Sequence, residues 1–140
     1  LNLVITDTGA AKAISGVLPE LKGKLTANAI RVPTPNVSLA IMHLNVKKGV
    51  SVEDLNQCFR NAAFHSGLRT TIDYSNSLDA VSSDFYSNEF ACVFDSQATI
   101  SNFNNITIYC WYDNEYGYSR QVARLLNKAL GINLVRYPKQ

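Results

Sequence analysis

Val37-Ser38-Leu39-Ala40-Ile41-Met42-His43-Leu44-Asn45-Val46 is the stretch on which the architecture turns. It runs without glycine or proline. Ala40, Met42, Leu44 and Val46 recur at a period of two, while His43 and Asn45 fall on the other face. That pattern predicts a long strand with those four residues along one face. Lys47-Lys48-Gly49 follows as a turn, and Ser51-Val52-Glu53-Asp54 then has the spacing of a capping box. The helix behind it buries Val52, Leu55, Phe59 and Ala62 or Ala63, and should stop with Gly67 in the C′ position.

Towards the N-terminus, Leu1 to Ile5 is a short apolar run, and Thr6-Asp7-Thr8-Gly9 carries turn and N-cap chemistry. A helix is predicted from about Ala10 to Leu21, with Ala11, Ile14, Leu18 and Leu21 at helical spacing and Pro19 distorting its last turn. Ala27 to Val32 reads as a strand, interrupted by Pro33-Thr34-Pro35-Asn36 because neither proline can donate to a ladder. Towards the C-terminus, strands are predicted at Leu68 to Asp73, Ala80 to Ser83, Phe90 to Asp95 and Ile106 to Tyr112, with a further one at Gln97 to Ser101. Ser119 is placed to cap a final helix carrying Val122, Ala123, Leu125, Leu126 and Ala129, ended by Gly131. Strands come in runs separated by isolated helices. The predicted class is therefore α+β, a mostly antiparallel mixed sheet with about three helices on one face. The other face is left to solvent or to an interface. The organisation is one unit over 1–130 and a loosely held tail over 131–140.

With 140 residues, 46% apolar and 17% charged, the chain is long enough for one core, and its low charge suggests surface covered by another domain or subunit. A formal charge of +2 leaves no nucleic-acid footprint. No apolar run is long enough to span a bilayer, and no signal-peptide pattern is visible. Cys58, Cys92 and Cys110 are odd in number and far apart, which fits neither a disulfide framework nor a metal clip and points to a reducing cytoplasm. All three read as packing residues, and His43 and His65 have no evident partner. The sequence opens on Leu1 and its only methionine is Met42, so it reads as a fragment of a longer chain.

Three segments could carry chemistry. Thr8-Gly9-Ala10-Ala11-Lys12 offers a hydroxyl and free backbone N–H groups at a helix start, an anion site helped by the helix dipole. On pattern alone a plain N-cap accounts for it better. Arg31, at a strand end ahead of a rigid turn, can grip phosphate in two places, although a solvated arginine beside an edge strand is the simpler account. Trp111-Tyr112-Asp113-Asn114-Glu115-Tyr116-Gly117-Tyr118-Ser119 runs from an apolar strand into a helix. It is either a functional junction or a polar turn whose Asp113, Asn114 and Ser119 satisfy backbone groups, and chemistry alone leaves both open.

Thr8-Gly9-Ala10-Ala11-Lys12-Ala13, then Val17-Leu18-Pro19-Glu20-Leu21-Lys22-Gly23-Lys24-Leu25, then Arg31-Val32-Pro33-Thr34-Pro35-Asn36-Val37-Ser38, then Trp111 to Ser119 stand in the order seen in phosphorylating glyceraldehyde-3-phosphate dehydrogenases. Val81-Ser82-Ser83-Asp84 and Phe94-Asp95 also resemble that family, over roughly Leu1 to Leu130. The resemblance implies an oxidoreductase that converts glyceraldehyde 3-phosphate to an acyl phosphate with NAD and inorganic phosphate. NADP remains an alternative cofactor. It implies that Thr8, Gly9 and Ala10 hold the attacking phosphate and that Arg31 grips the substrate's own phosphate. Asn114 would hold the nicotinamide carboxamide, Tyr118 would lie beside that ring, and Glu115 would be structural. No catalytic residue is expected within the chain. The resemblance puts the nucleophile segment, the base histidine, a second phosphate-site arginine and the dinucleotide-binding domain upstream of Leu1, so these residues alone should be inactive. No metal site, nucleic acid or membrane is implied, and a cytoplasmic homotetramer is expected. Asp7 departs from the usual Thr or Ser, and the longer tail resembles a long-chain bacterial branch. A sister enzyme acting on erythrose 4-phosphate, or a non-catalytic oligomerisation module, are the alternatives.

Overall fold

The computed structural model describes residues 2–132. The predicted tail falls mostly on 133–140, which lie outside the described residues. The chain divides into two compact units, one ending at Pro35 and one beginning at Asn36. The fold is α+β, with three helices and a mostly antiparallel mixed sheet.

In the first unit, β1 (Val4–Asp7) pairs antiparallel with β2 (Asn28–Arg31), with Val4 opposite Arg31 and Asp7 opposite Asn28. Helix α1 (Ala10–Val17) lies between them in sequence, followed by a 3-10 turn over Pro19–Leu21. The proline shortens the predicted helix because it cannot donate and clashes with the turn before it.

The second unit is built on β3 (Ser38–Asn45) and β7 (Asn105–Tyr112), antiparallel over their full length from Ser38↔Tyr112 to Asn45↔Asn105. Across β7 lie β5 (Cys92–Asp95) and β6 (Ile100–Asn102), both antiparallel to it. The edge strand β4 (Ile72–Ser75) runs parallel to β5 and supplies the mixed character.

Helix α2 (Val52–His65) covers one face of this sheet. The Ser51 hydroxyl accepts from the Asp54 N–H at 3.0 Å, the N-cap that the sequence specifies. Leu55 and Ala63 are buried. Phe59 stacks on the fully buried Phe94 with ring centroids 4.0 Å apart, and Ile106, Ile108 and Cys110 complete the layer. Burial of such aromatic and aliphatic side chains stabilises by about 1.5–3 kcal/mol each. A second cluster, Val37, Phe85 and Val93, sits with Trp111, whose ring stacks on Phe85 at 5.2 Å.

Several expectations are corrected by the structure. Residues 68–71 form a turn, with Thr71 and Ile72 donating to the Leu68 carbonyl, so the strand predicted from Leu68 begins at Ile72. The strand predicted at Ala80 to Ser83 is replaced by a 3-10 turn over Ser82–Phe85, because the Asp84 carboxylate accepts the Val81 N–H at 2.9 Å. Helix α2 does end where expected, but through an extended Ser66 whose hydroxyl donates to the Ala62 carbonyl, not through a left-handed Gly67. Cys58 faces solvent, unlike buried Cys110 and half-buried Cys92. His43 has a partner, the Thr107 hydroxyl at 3.0 Å across the strand pair.

Candidate functional site

The strand-to-helix junction is organised by one carboxylate. Asp113 follows the last residue of β7 and is 3% exposed. One oxygen accepts the N–H groups of Glu115 (3.0 Å) and Tyr116 (2.9 Å), and the other accepts the Ser87 N–H (2.9 Å) and the Asn36 side-chain amide (3.0 Å). These bonds, led by the one from Tyr116, hold its pKa below the ordinary carboxylate value against the opposing effect of burial. Asp113 thus caps α3 (Tyr116–Ala129) and ties in two distant segments. The expected cap, Ser119, lies inside the first turn and donates back to the Glu115 carbonyl at 2.7 Å.

Helix α3 docks by polar and small residues. A Cβ at Gly117 would stand 2.7 Å from the Phe90 carbonyl oxygen, so only glycine permits this approach. Gln121 donates to the Glu89 carbonyl at 2.9 Å, Arg120 pairs with Glu89 at 2.7 Å, and Arg124 bonds to Thr70. The helix closes on Gly131 at φ 69°, with Gly131 donating to the Lys128 carbonyl and Ile132 to that of Asn127. This is the glycine stop read from the sequence, in Schellman form.

Between the end of β7 and the start of α3 lies a recess of about 310 Å³ lined by Ala91, Tyr112, Asp113, Asn114, Tyr118 and Gln121. Asn114 and Tyr118, both singled out in the sequence, therefore line the same recess. The Asn114 amide does not satisfy backbone in the way the polar-turn reading supposed. It donates to the Ser38 hydroxyl at 2.8 Å, across from β7 on the first residue of β3. Tyr118 is 71% exposed, so its aromatic side chain is open to solvent beside the recess. Sequence reasoning missed Ser38 and Gln121. Only pairing Ser38 with Tyr112 brings the former beside Asn114, and no local spacing reveals that.

The segments expected from the sequence to meet anions belong to the first unit. Thr8 precedes α1, and its hydroxyl oxygen accepts from the Ala10 N–H at 3.3 Å. Gly9 is the N-cap residue at φ −77°, and a Cβ there would meet nothing within 4 Å. The backbone does not require glycine, and the space over the helix start is open. Arg31 is exposed at the far end of the two-stranded ribbon. Being opposite Val4, it lies four residues along from Thr8, or roughly 13 Å at the usual strand rise.

Residues 1–114 match the model for the glyceraldehyde 3-phosphate dehydrogenase C-terminal domain. The chain belongs to that family. It is 51% identical over 139 residues to a glyceraldehyde-3-phosphate dehydrogenase-like protein of Pseudomonas aeruginosa, covering 99% of this chain and 30% of that protein. It is 47% identical over 127 residues to the chloroplastic glyceraldehyde-3-phosphate dehydrogenase B of Pisum sativum, covering 89% of this chain and 28% of the relative. Glyceraldehyde-3-phosphate dehydrogenase 2 of Trichormus variabilis is 43% identical over 126 residues, with 89% of this chain and 37% of the relative covered. The chain thus spans about a third of the length of these relatives.

Proposed function

We propose that these residues are the C-terminal part of the catalytic domain of a longer NAD-dependent oxidoreductase that oxidises glyceraldehyde 3-phosphate to an acyl phosphate. The observation that carries this reading is the recess at the β7–α3 junction, which Asn114 and Tyr118 both line. An amide and an exposed aromatic ring are the groups a nicotinamide carboxamide and its ring would meet, so the residues present fit that group. When bound, NAD accepts the hydride. The chain's own residues orient it: Asn114 by hydrogen bonds to the carboxamide, Tyr118 by stacking area beside the ring. Thr8, Gly9 and Ala10 receive the attacking inorganic phosphate at the start of α1, where N–H groups and the helix dipole favour an anion. Arg31 grips the substrate's phosphate through its planar guanidinium. The roughly 13 Å between Thr8 and Arg31 suits two anions on either side of a reacting carbon.

The nucleophile and base come from the missing part of the catalytic domain. Cys110 is unsuited to attack: its hydrogen bond with Cys92, followed by burial, pushes its pKa up and keeps the thiol protonated. The remaining partners are a dinucleotide-binding domain and further copies of the chain in a cytoplasmic homo-oligomer. The name of the Pseudomonas relative, a dehydrogenase-like protein, does not fix an aldehyde. Erythrose 4-phosphate is therefore the second substrate to assay.

The test is turnover by the complete protein with each aldehyde and with NAD or NADP, and by residues 1–140 alone. Turnover of glyceraldehyde 3-phosphate with NAD and phosphate is expected from the complete protein, and none from the 140 residues. Arg31→Ala should lower kcat/KM by about tenfold to a hundredfold, the loss of one charge-assisted contact, and Arg31→Lys by less. Unchanged kinetics in Arg31→Ala would remove that residue from the substrate site. A preference for erythrose 4-phosphate would reassign the substrate.

A further inference from the structure

The Asn114–Ser38 hydrogen bond has no structural task that the fold lacks elsewhere. Strand β3 is already fixed by its full-length ladder with β7, and the junction by the four bonds to Asp113. Asn114 is exposed, so an asparagine here could leave its amide in water at little cost. Instead its nitrogen is 2.8 Å from the Ser38 oxygen.

The backbone just before Ser38 is strained. Val37 adopts φ 71°, a left-handed conformation that β-branched residues rarely hold, and it is 9% exposed, among Phe85 and Val93. The Asn36 side-chain oxygen accepts the Val37 N–H at 2.7 Å, while its nitrogen donates to Asp113. Asn36 thus links the strained turn to the carboxylate that sets the 113–116 junction. The strained turn is held by these local bonds and leads directly into Ser38, the first residue of β3.

An amide has two ends, a donor nitrogen and an acceptor oxygen. Engaging one N–H with Ser38 fixes the plane of the amide and leaves its carbonyl oxygen as the acceptor available to a ligand. We infer that Ser38 is a positioning residue that polarises the recess: it fixes Asn114 with its oxygen presented, so the site selects a ligand bearing an N–H donor at that point. This deepens the reading of the recess as a nicotinamide site and rests on it. The selected group is then the carboxamide –NH₂, and Ser38 acts on it only through Asn114.

The experiment is equilibrium binding to the complete protein, by titration calorimetry, of NAD and of its 3-acetylpyridine analogue. The analogue has a methyl group in place of the carboxamide –NH₂ and cannot donate. The wild type should bind the analogue about tenfold more weakly than NAD, the cost of an acceptor that the ligand covers and leaves without a partner. In Ser38→Ala the amide is free to rotate. NAD binding should weaken by about threefold to tenfold while analogue binding changes little, closing the gap to roughly twofold. Ser38→Thr keeps the hydroxyl and should restore the discrimination. The double variant Ser38→Ala/Asn114→Ala should bind NAD no more weakly than Asn114→Ala alone, because Ser38 has no other route to the ligand.

A merely structural role for Ser38 would weaken both ligands alike, and that result would overturn the inference. So would equal binding of NAD and analogue by the wild type. If Asn114→Ala weakens NAD and Ser38→Ala does not, the inference falls and the nicotinamide site stands. If Asn114→Ala leaves NAD affinity unchanged, the site reading and the inference fall together.

Discussion

Asp113 accepts four hydrogen bonds with two oxygens, and every donor comes from a segment that needs a fixed position: the turn before β3, residue 87, and the first turn of α3. Asp113→Asn keeps the shape but sets an –NH₂ group against N–H donors, so at least one pair of bonds becomes repulsive. Both Asp113→Asn and Asp113→Ala should cost on the order of 3 kcal/mol, read as a shift in the denaturant midpoint. The pH dependence has a definite sign. The folded pKa is depressed below the unfolded value. The stabilisation is therefore fully present above the unfolded carboxylate value near ~3.9, and is lost as pH falls from there through the folded value. The wild type should lose stability over that acid window more steeply than Asp113→Ala. Equal acid profiles would mean that the carboxylate is not ionised in the fold. Thr8 allows a separate test. Its hydroxyl oxygen already accepts from the Ala10 N–H, which leaves the O–H free to donate to an anion. Under the proposed reading, Thr8→Ala should raise the KM for phosphate about tenfold and leave the KM for the aldehyde unchanged. Arsenate should not rescue it, because it would occupy the same cradle. A changed aldehyde KM with unchanged phosphate dependence would exchange the two anion sites.

Helix α3 forms where the sequence places it, but its apolar residues do not mark the docked face. Its apolar residues at helical spacing look like a core face, but Val122, Leu125 and Leu126 are 47%, 68% and 58% exposed. The docked face is Gly117, Gln121 and Arg124. Gly117→Ala sets two effects against each other. Alanine favours the helix by about 1 kcal/mol over glycine. The added Cβ, however, would lie 2.7 Å from the Phe90 carbonyl oxygen, a backbone atom that cannot swing aside. The clash wins, so net destabilisation of about 1–3 kcal/mol is expected, with faster amide exchange in α3. A stabilised Gly117→Ala would show that α3 does not sit this close. The contrast with β3 and α2 marks what the sequence makes legible. Alternation over Val37 to Val46 and the cap at Ser51 are local signals, and both elements form within a residue or two of prediction. The junction motif likewise yields Asn114 and Tyr118 on one recess. Pairing across the sheet is not local. The Ser38–Asn114 contact, the turn at 68–71 and the strained Val37 all depend on segments far away in sequence, so no window of neighbours encodes them.

At the scale of the whole molecule, apolar surface is the feature that demands an account. In the second unit, Leu39, Ile41, Met42 and Leu44 on β3 are 37%, 51%, 36% and 37% exposed, in addition to the outward residues of α3. In the first unit, Ile5, Val17 and Ile30 are 74%, 80% and 61% exposed. Scattered apolar side chains on a surface need no explanation, but contiguous ones on a helix face rarely stay in water. Leu125 and Leu126 together with Val122 form such a stretch on α3, at i, i+3 and i+4. The 140-residue chain in isolation should therefore self-associate. Light scattering after size exclusion should show species heavier than the 15.5 kDa monomer, with a fraction that grows with concentration. Leu125→Glu/Leu126→Glu should shift the chain towards monomer without loss of helical circular dichroism, because neither side chain belongs to a buried cluster. High salt should not dissolve the assembly, since apolar burial is not screened as charge pairs are. A clean monomer across a hundredfold range of concentration would mean that these faces stay solvated without a partner. An oligomer unaffected by the double substitution would move the contact away from α3, and Ile41→Glu would then be the variant to examine on β3.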